Sequence, residues 1–288
     1  MTEQTSKLAE LNAQAEALKP RPRLRALISG RPSTGKTHLI LSAPKPVVVL
    51  YCDRQGGEED LEKAAGDGVF RVYLRRGAGG RRIADQVAHW IQRITSGDLS
   101  GEGIQTVALD SLSYLQSLVQ VESVQQDKQT SQRDFGRIAQ GMEKILLDLL
   151  TMDQHILITS HLKSKQEIGK DPETGSDVPL TIWQPDAMPK VREIVMREVG
   201  LMGYTWRKTT PEGESRFGVN FTEASRSRTQ LFQFQDAKAP QGWGGNEPAD
   251  MTEWIGRLWP APVVAPLPSD PAPVAPATTK PTGKAGKP

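Results

Sequence analysis

The segment Gly30-Arg31-Pro32-Ser33-Thr34-Gly35-Lys36-Thr37 has the GxxxxGK[ST] spacing that phosphate chemistry requires. Its glycines let the loop wrap closely, so that main-chain N–H groups point inward at phosphate oxygens. Lys36 is placed to reach the β- and γ-phosphates, and the Thr37 hydroxyl to ligate Mg2+. A helix starting at the end of the loop adds the positive end of its dipole. His38 closes the same binding stretch, although a regular helix turns its side chain away from the phosphates. The expected ligand is a nucleoside triphosphate with its magnesium. Such a site needs an acidic partner for the metal. Asp110 is the best placed, directly after the apolar run Thr106-Val107-Ala108-Leu109. The competing reading makes it only an N-cap for the helix beginning near Ser111. Asp53 ends another apolar run and is a second carboxylate within range of the metal through water.

The elements around these residues alternate between strand and helix. Apolar runs at Leu24 to Ser29, Val47 to Tyr51, Val69 to Leu74, Thr106 to Leu109 and Ile156 to Ser160 read as buried strands. Helices are expected after the phosphate loop (Thr37 to Ser42), over Ile83 to Ile94, and over 111–121 and 136–151. Residues 199–209 and 215–221 read as a C-terminal β-hairpin turning at Pro211-Glu212-Gly213-Glu214. The alternation predicts an α/β fold, a mostly parallel sheet with helices on both faces. Ligands of such sheets sit beyond the C-terminal strand ends, where Asp53, Asp110 and His161 fall. The stretch Lys163 to Pro189 reads as a long, polar, turn-rich loop, and Glu122 to Arg133 as a shorter one. The expected domains are an N-terminal helix over 1–20, a core over 21–257 and a disordered tail over 258–288. Nine of the 21 prolines fall in that tail, a composition that cannot build a core.

Bulk properties narrow the classes. The net charge is +2 over 288 residues, so no global pull toward polyanions is expected. One cysteine, Cys52, excludes an intrachain disulfide and a cysteine-rich zinc site. No long apolar run predicts a membrane span, and the polar start carries no signal-peptide pattern. A cytoplasmic protein is expected.

The order of motifs resembles the RecA-type ATPase core. It comprises the phosphate loop, a strand ending at Asp53, Leu109-Asp110-Ser111 and Thr159-Ser160-His161, followed by a long polar segment. It is similar in particular to short phage-encoded RecA-like proteins that assist single-strand annealing and recombination. The resemblance covers Leu24 to Gln235. It implies ATP and Mg2+ as cofactors, Asp110 as the magnesium aspartate, and His161 as the sensor of the γ-phosphate. It makes Val124 to Asp134 and Lys163 to Pro189 the two DNA-binding loops, with Lys163, Lys165 and Lys170 as backbone contacts. Trp183 is open to two readings, a base-stacking ring or an apolar anchor for its loop. Arg226 and Arg228 take the place of trans-acting cations at a subunit interface. The implied partners are single-stranded DNA, further copies of the chain in a ring or filament, and a single-strand-binding or annealing protein. One position departs from the family: its catalytic Glu is replaced by Gln55, which orients water but accepts a proton poorly. ATP hydrolysis is therefore expected to be slow. The alternatives are an AAA-type helicase loader and an ATP-gated binding module in replication. A small-molecule kinase fits less well, because Arg75 to Arg82 makes a poor lid.

Overall fold

The computed structural model describes residues 22–52, 63, 68–99, 103–124, 131–170, 174–222, 224–226, 231–234, 237–244 and 247–259. The expected N-terminal helix, the tail, Asp53, Gln55, Arg228 and most of the first expected DNA-binding loop lie outside them.

The central sheet has eight strands. They are β1 (Arg25–Ser29), β2 (Val47–Tyr51), β3 (Val69–Tyr73), β4 (Thr106–Asp110), β5 (His155–Ser160), β8 (Leu201–Thr209), β9 (Ser215–Asn220) and β12 (Glu247–Pro248). Their order across the sheet is β12-β9-β8-β1-β5-β4-β2-β3. From β8 through β3 all neighbours run parallel, and β9 and β12 add antiparallel strands beyond β8. β2, β4 and β5 are buried at every position. Such continuous burial follows when helices cover both faces of a parallel sheet.

The two-residue side-chain period divides the apolar residues between two cores. Val48 and Leu50 face one core and Val47 and Val49 the other. The first core is closed by α2 (Ile83–Thr95), α3 (Leu112–Ser123), α4 (Gln132–Leu150) and α5 (Pro189–Glu198). The second is closed by α1 (Lys36–Leu41) and α6 (Met251–Leu258). There Trp254, fully buried, meets Phe221 and Trp243 edge-on or tilted at 5.3 and 6.0 Å. α4 begins at Gln132, ahead of the expected start at 136, because Ser131 and Asp134 form a capping box. The Asp134 carboxylate accepts from the Ser131 hydroxyl at 2.6 Å and the Ser131 N–H at 2.9 Å. These bonds to the charged form hold its pKa below the ordinary value.

One expectation is overturned. Lys163 to Pro189 is no open loop. It holds β6 (Leu162–Lys170) and β7 (Asp177–Pro185), an antiparallel hairpin paired over the full length of both strands. The hairpin joins β10 (Ala224–Arg226) and β11 (Leu231–Phe234) in a second sheet, ordered β10-β11-β7-β6. β7 is paired on both sides and β6, at the sheet edge, on one, and polar side chains do not prevent such pairing. No described helix is long and apolar enough to cross a membrane.

Candidate nucleotide site

The phosphate loop leaves the end of β1 and enters α1. Its left-handed points are Ser33, with φ 60°, and Gly35, with φ 97°. A glycine is required at 35 for a second reason: a Cβ there would lie 2.7 Å from the Phe217 ring on β9. Gly30 is equally constrained, since a Cβ would stand 1.8 Å from Thr205 Oγ1 on β8. Thr205 in turn shares a 2.6 Å hydrogen bond with Thr34 Oγ1. Thr34 donates to the Arg31 carbonyl at 2.7 Å. The loop thus rests on β8, the neighbour of β1, and on β9 beyond it.

Lys36 is buried under the loop. Its Nζ donates to the carbonyls of Gly30 at 3.0 Å and Arg31 at 2.9 Å. A lysine in that position closes the loop on itself and keeps its ammonium group under the arc of main-chain N–H groups. Thr37 is half-buried at the start of α1. His38 is exposed, and its ring lies 5.4 Å from Phe217. Arg31 is exposed, and its guanidinium lies 4.5 Å from the centre of the Trp183 ring. Trp183, half-buried on β7, thus lies against an arginine of the phosphate loop.

Asp110 ends β4, which β5 separates from β1. Two strand spacings of about 4.8 Å put it roughly 10 Å across the rim from the start of the loop. It is buried, and Thr159 Oγ1 donates to Oδ1 at 2.6 Å. The N-cap of α3 is Ser111, so Asp110 is not the capping residue. Ser111 is wholly buried, yet its Oγ makes no hydrogen bond within the described residues. A buried hydroxyl in that state is costly unless a further polar group meets it. That fits a site completed by a hydrated ion beside Asp110. No cluster of three or more His, Cys, Asp or Glu among the described residues could hold a metal alone. Magnesium commonly takes one or two carboxylates and fills its sphere with water and substrate phosphates. Asp110 with Thr37 matches that donor set.

His161 follows β5 at the same rim. Its N–H donates to Ser113 Oγ at 3.0 Å, and its carbonyl accepts from the Asp186 N–H at 2.7 Å. Its ring meets Tyr114 edge-on at 5.1 Å. The main chain of His161 is therefore fixed by α3 on one side and the foot of β7 on the other. Lys163, Lys165 and Lys170 lie along β6, and their carboxylate neighbours are Asp186 at 3.8 Å, Glu167, and Asp177 at 2.5 Å. Arg226 belongs to β10, in the same sheet as the hairpin.

Phosphate loop, Asp110 and His161 thus share one rim, and the hairpin carrying the three lysines is rooted there. Sequence reasoning missed Thr205, Phe217 and Ser113, which hold these groups from distant positions, and the bond from Thr159 to Asp110. Thr34 and Thr205 lie 171 residues apart, and no local pattern announces such a pair.

A family model described as an AAA domain matches residues 23–237. No curated protein matches the sequence. The matched span contains the loop, Asp110, His161 and the hairpin, and it covers most of the chain. The protein belongs to this AAA domain family of P-loop NTPases.

Proposed function

We propose that the protein is an ATP-binding, RecA-like ATPase that acts on single-stranded DNA in recombination, annealing or repair, and that it hydrolyses ATP slowly. The observation that carries the reading is the root of the basic hairpin. One residue, His161, separates the buried strand β5 from β6, so the lysines are built directly onto the nucleotide rim. Beside the hairpin, Lys163, Lys165, Glu167, Ile182, Gln184, Pro189 and Arg192 line a groove of about 480 Å³, in which three cations outnumber one carboxylate. Lysines in water exchange carboxylate partners for phosphates at little cost, because exposed ion pairs contribute little. They contact the backbone without reading sequence.

In this reading Gly30 to Thr37 wraps the phosphates, Lys36 neutralises the β- and γ-oxygens, and Thr37 and Asp110 position the metal. The bound Mg2+ and triphosphate supply charge neutralisation and a phosphoryl group open to attack by water. Thr159 keeps the Asp110 carboxylate oriented. His161 senses the γ-phosphate and passes its presence to β6. Gln55 orients water and removes no proton, which sets the slow rate. Further copies assemble as a ring or filament, with Arg226 and Arg228 directed at a neighbour's nucleotide. A single-strand-binding or annealing protein is a partner, and the setting is a bacterial cytoplasm under phage infection.

The test measures oligo(dT) binding with and without Mg-ATP, and ATPase with and without oligo(dT). Lys36→Ala should weaken ATP affinity at least about 100-fold, the scale expected when a buried cation no longer meets phosphate. Turnover of the wild type should be slow and should rise when Gln55→Glu restores a base. Fast turnover that survives Gln55→Ala would sink the slow-hydrolysis part. Absence of oligo(dT) affinity in every nucleotide state would sink the DNA part. A second reading, within the same AAA class, is a helicase loader. It is distinguished by ATP-dependent capture of a helicase hexamer in place of DNA.

A further inference from the structure

We infer that the loop Arg75-Arg76-Gly77-Ala78-Gly79-Gly80-Arg81-Arg82 is a preformed contact for the phosphodiester backbone of single-stranded nucleic acid. This rests on the single-stranded DNA reading above and adds a site to it. Sequence alone leaves the segment between two readings, a contact for a phosphate backbone or a neighbouring subunit, and a solvated surface loop. The structure gives it a fixed shape. Gly77, Gly79 and Gly80 take φ of 69°, 61° and 69°, which folds the tip into a tight 3-10 turn. Gln86, 6% exposed, closes the loop from beneath. Its Nε2 donates to the carbonyls of Arg75 at 2.8 Å and Arg81 at 3.1 Å, and its Oε1 accepts from the Arg75 N–H at 3.3 Å. Glu122 holds the exit by accepting the Ile83 N–H at 3.1 and 3.0 Å. One buried amide therefore joins the two feet of the loop, and a pair of arginines stands at each foot.

Arg75, Arg76, Arg81 and Arg82 are all exposed. Among the described residues no carboxylate forms an ion pair with any of them. Arg75 lies over the Tyr73 ring at 5.0 Å, which stiffens it without consuming its charge. In a protein of net charge +2, four cations in eight residues are a strong local field. The loop follows β3, the edge strand, at the same sheet end as the phosphate loop. Four strand spacings of about 4.8 Å separate β3 from β1, roughly 19 Å. The loop therefore stands to the side of the phosphate loop, and the partner inferred for it is a separate molecule. Guanidinium forks match phosphate oxygens in paired hydrogen bonds, and the ordering of the loop precedes binding, so that cost is not incurred in the complex.

The experiment is fluorescence anisotropy with labelled oligo(dT), Mg2+ and a non-hydrolysable ATP analogue over a range of salt. Two variants are compared with wild type: the fourfold Arg→Ala change at 75, 76, 81 and 82, and Gln86→Ala, which keeps every charge and opens the clamp. The fourfold variant should bind at least about tenfold more weakly, and its salt slope should flatten by about 0.7 for each phosphate that it no longer neutralises. Gln86→Ala should bind several-fold more weakly while thermal melting confirms a folded protein. An unchanged slope and affinity in the fourfold variant would overturn the inference. So would wild-type affinity in Gln86→Ala, because diffuse attraction needs no ordered loop. Abolished ATPase with intact oligo(dT) binding would also overturn it and would assign the loop to a neighbouring copy's triphosphate. Wild type failing to bind oligo(dT) at all is a different result: it ends the DNA reading itself.

Discussion

β5 buries all six of its side chains, whereas β6, beginning one residue later, exposes most of its own. The two strands belong to different sheets, and the chain changes physical regime across His161. At the centre of the large sheet, in β2, β4 and β5, every side chain is buried under a helix layer on one face or the other. β6 is held by main-chain pairing to β7, and most of its side chains remain open to solvent. Stability therefore resides in the first sheet, and the second is free to vary its surface chemistry.

Substitutions can break that contrast, and the largest effect is expected far from the rim. Trp254→Ala empties the centre of the α1–α6 core and should cost about 3–5 kcal/mol by denaturant unfolding. A value under about 1 kcal/mol would mean that this core is not a principal source of stability. Gly30→Ala comes next. Its Cβ would meet Thr205 Oγ1 at 1.8 Å, and a forced shift of that kind costs about 1–3 kcal/mol. Combination with Thr205→Ala should recover part of the loss, because the first obstructing atom is then gone. Additive losses would show that the brace between β8 and the loop is not what constrains Gly30.

Acid should act on the large sheet as well. His155 starts β5, and burial, then the nearby positive charge of Arg23, lowers its pKa from 6.5 to about 4. Its Nδ1 accepts the Leu24 N–H at 3.0 Å, which needs the neutral ring. Between pH 6.5 and about 4 the unfolded chain binds the proton and the folded chain does not, so stability should decline as pH falls through that window. His155→Gln should flatten the decline in chemical-denaturation series. The smallest effect is expected at the hairpin. Ile168 is 80% exposed, and Ile168→Ser should change stability by no more than about 0.5 kcal/mol. A larger loss would show that the second sheet contributes more to stability than its exposure suggests.

The same contrast explains what is legible in the sequence. Val47 to Tyr51 and Ile156 to Ile158 are unbroken apolar runs, and only a doubly covered strand needs them. The phosphate loop is equally legible, because glycine and lysine spacing states the chemistry locally. The β6–β7 hairpin is not. Lys163 to Lys170 is almost wholly polar, Pro179 and Pro185 interrupt its partner, and its pairing is carried by backbone groups that composition does not reveal. α5 escapes a sequence reading because Pro189 looks like a breaker, although at the first helical position its fixed φ is favourable. Val191, Ile194 and Val195 then supply the buried stripe. The brace of Thr205 and Phe217 on the phosphate loop is a tertiary match between distant segments and leaves no short-range signal.

The single-residue junction at His161 has a mechanical consequence. β6 is nine residues long, so at about 3.3 Å per residue it spans roughly 30 Å. Ser113 holds the His161 main chain from one side and Asp186 from the other, which leaves β6 no slack at its base. The hairpin is an outrigger of fixed bearing, and strand geometry alone sets how far Lys163, Lys165 and Lys170 stand from the rim.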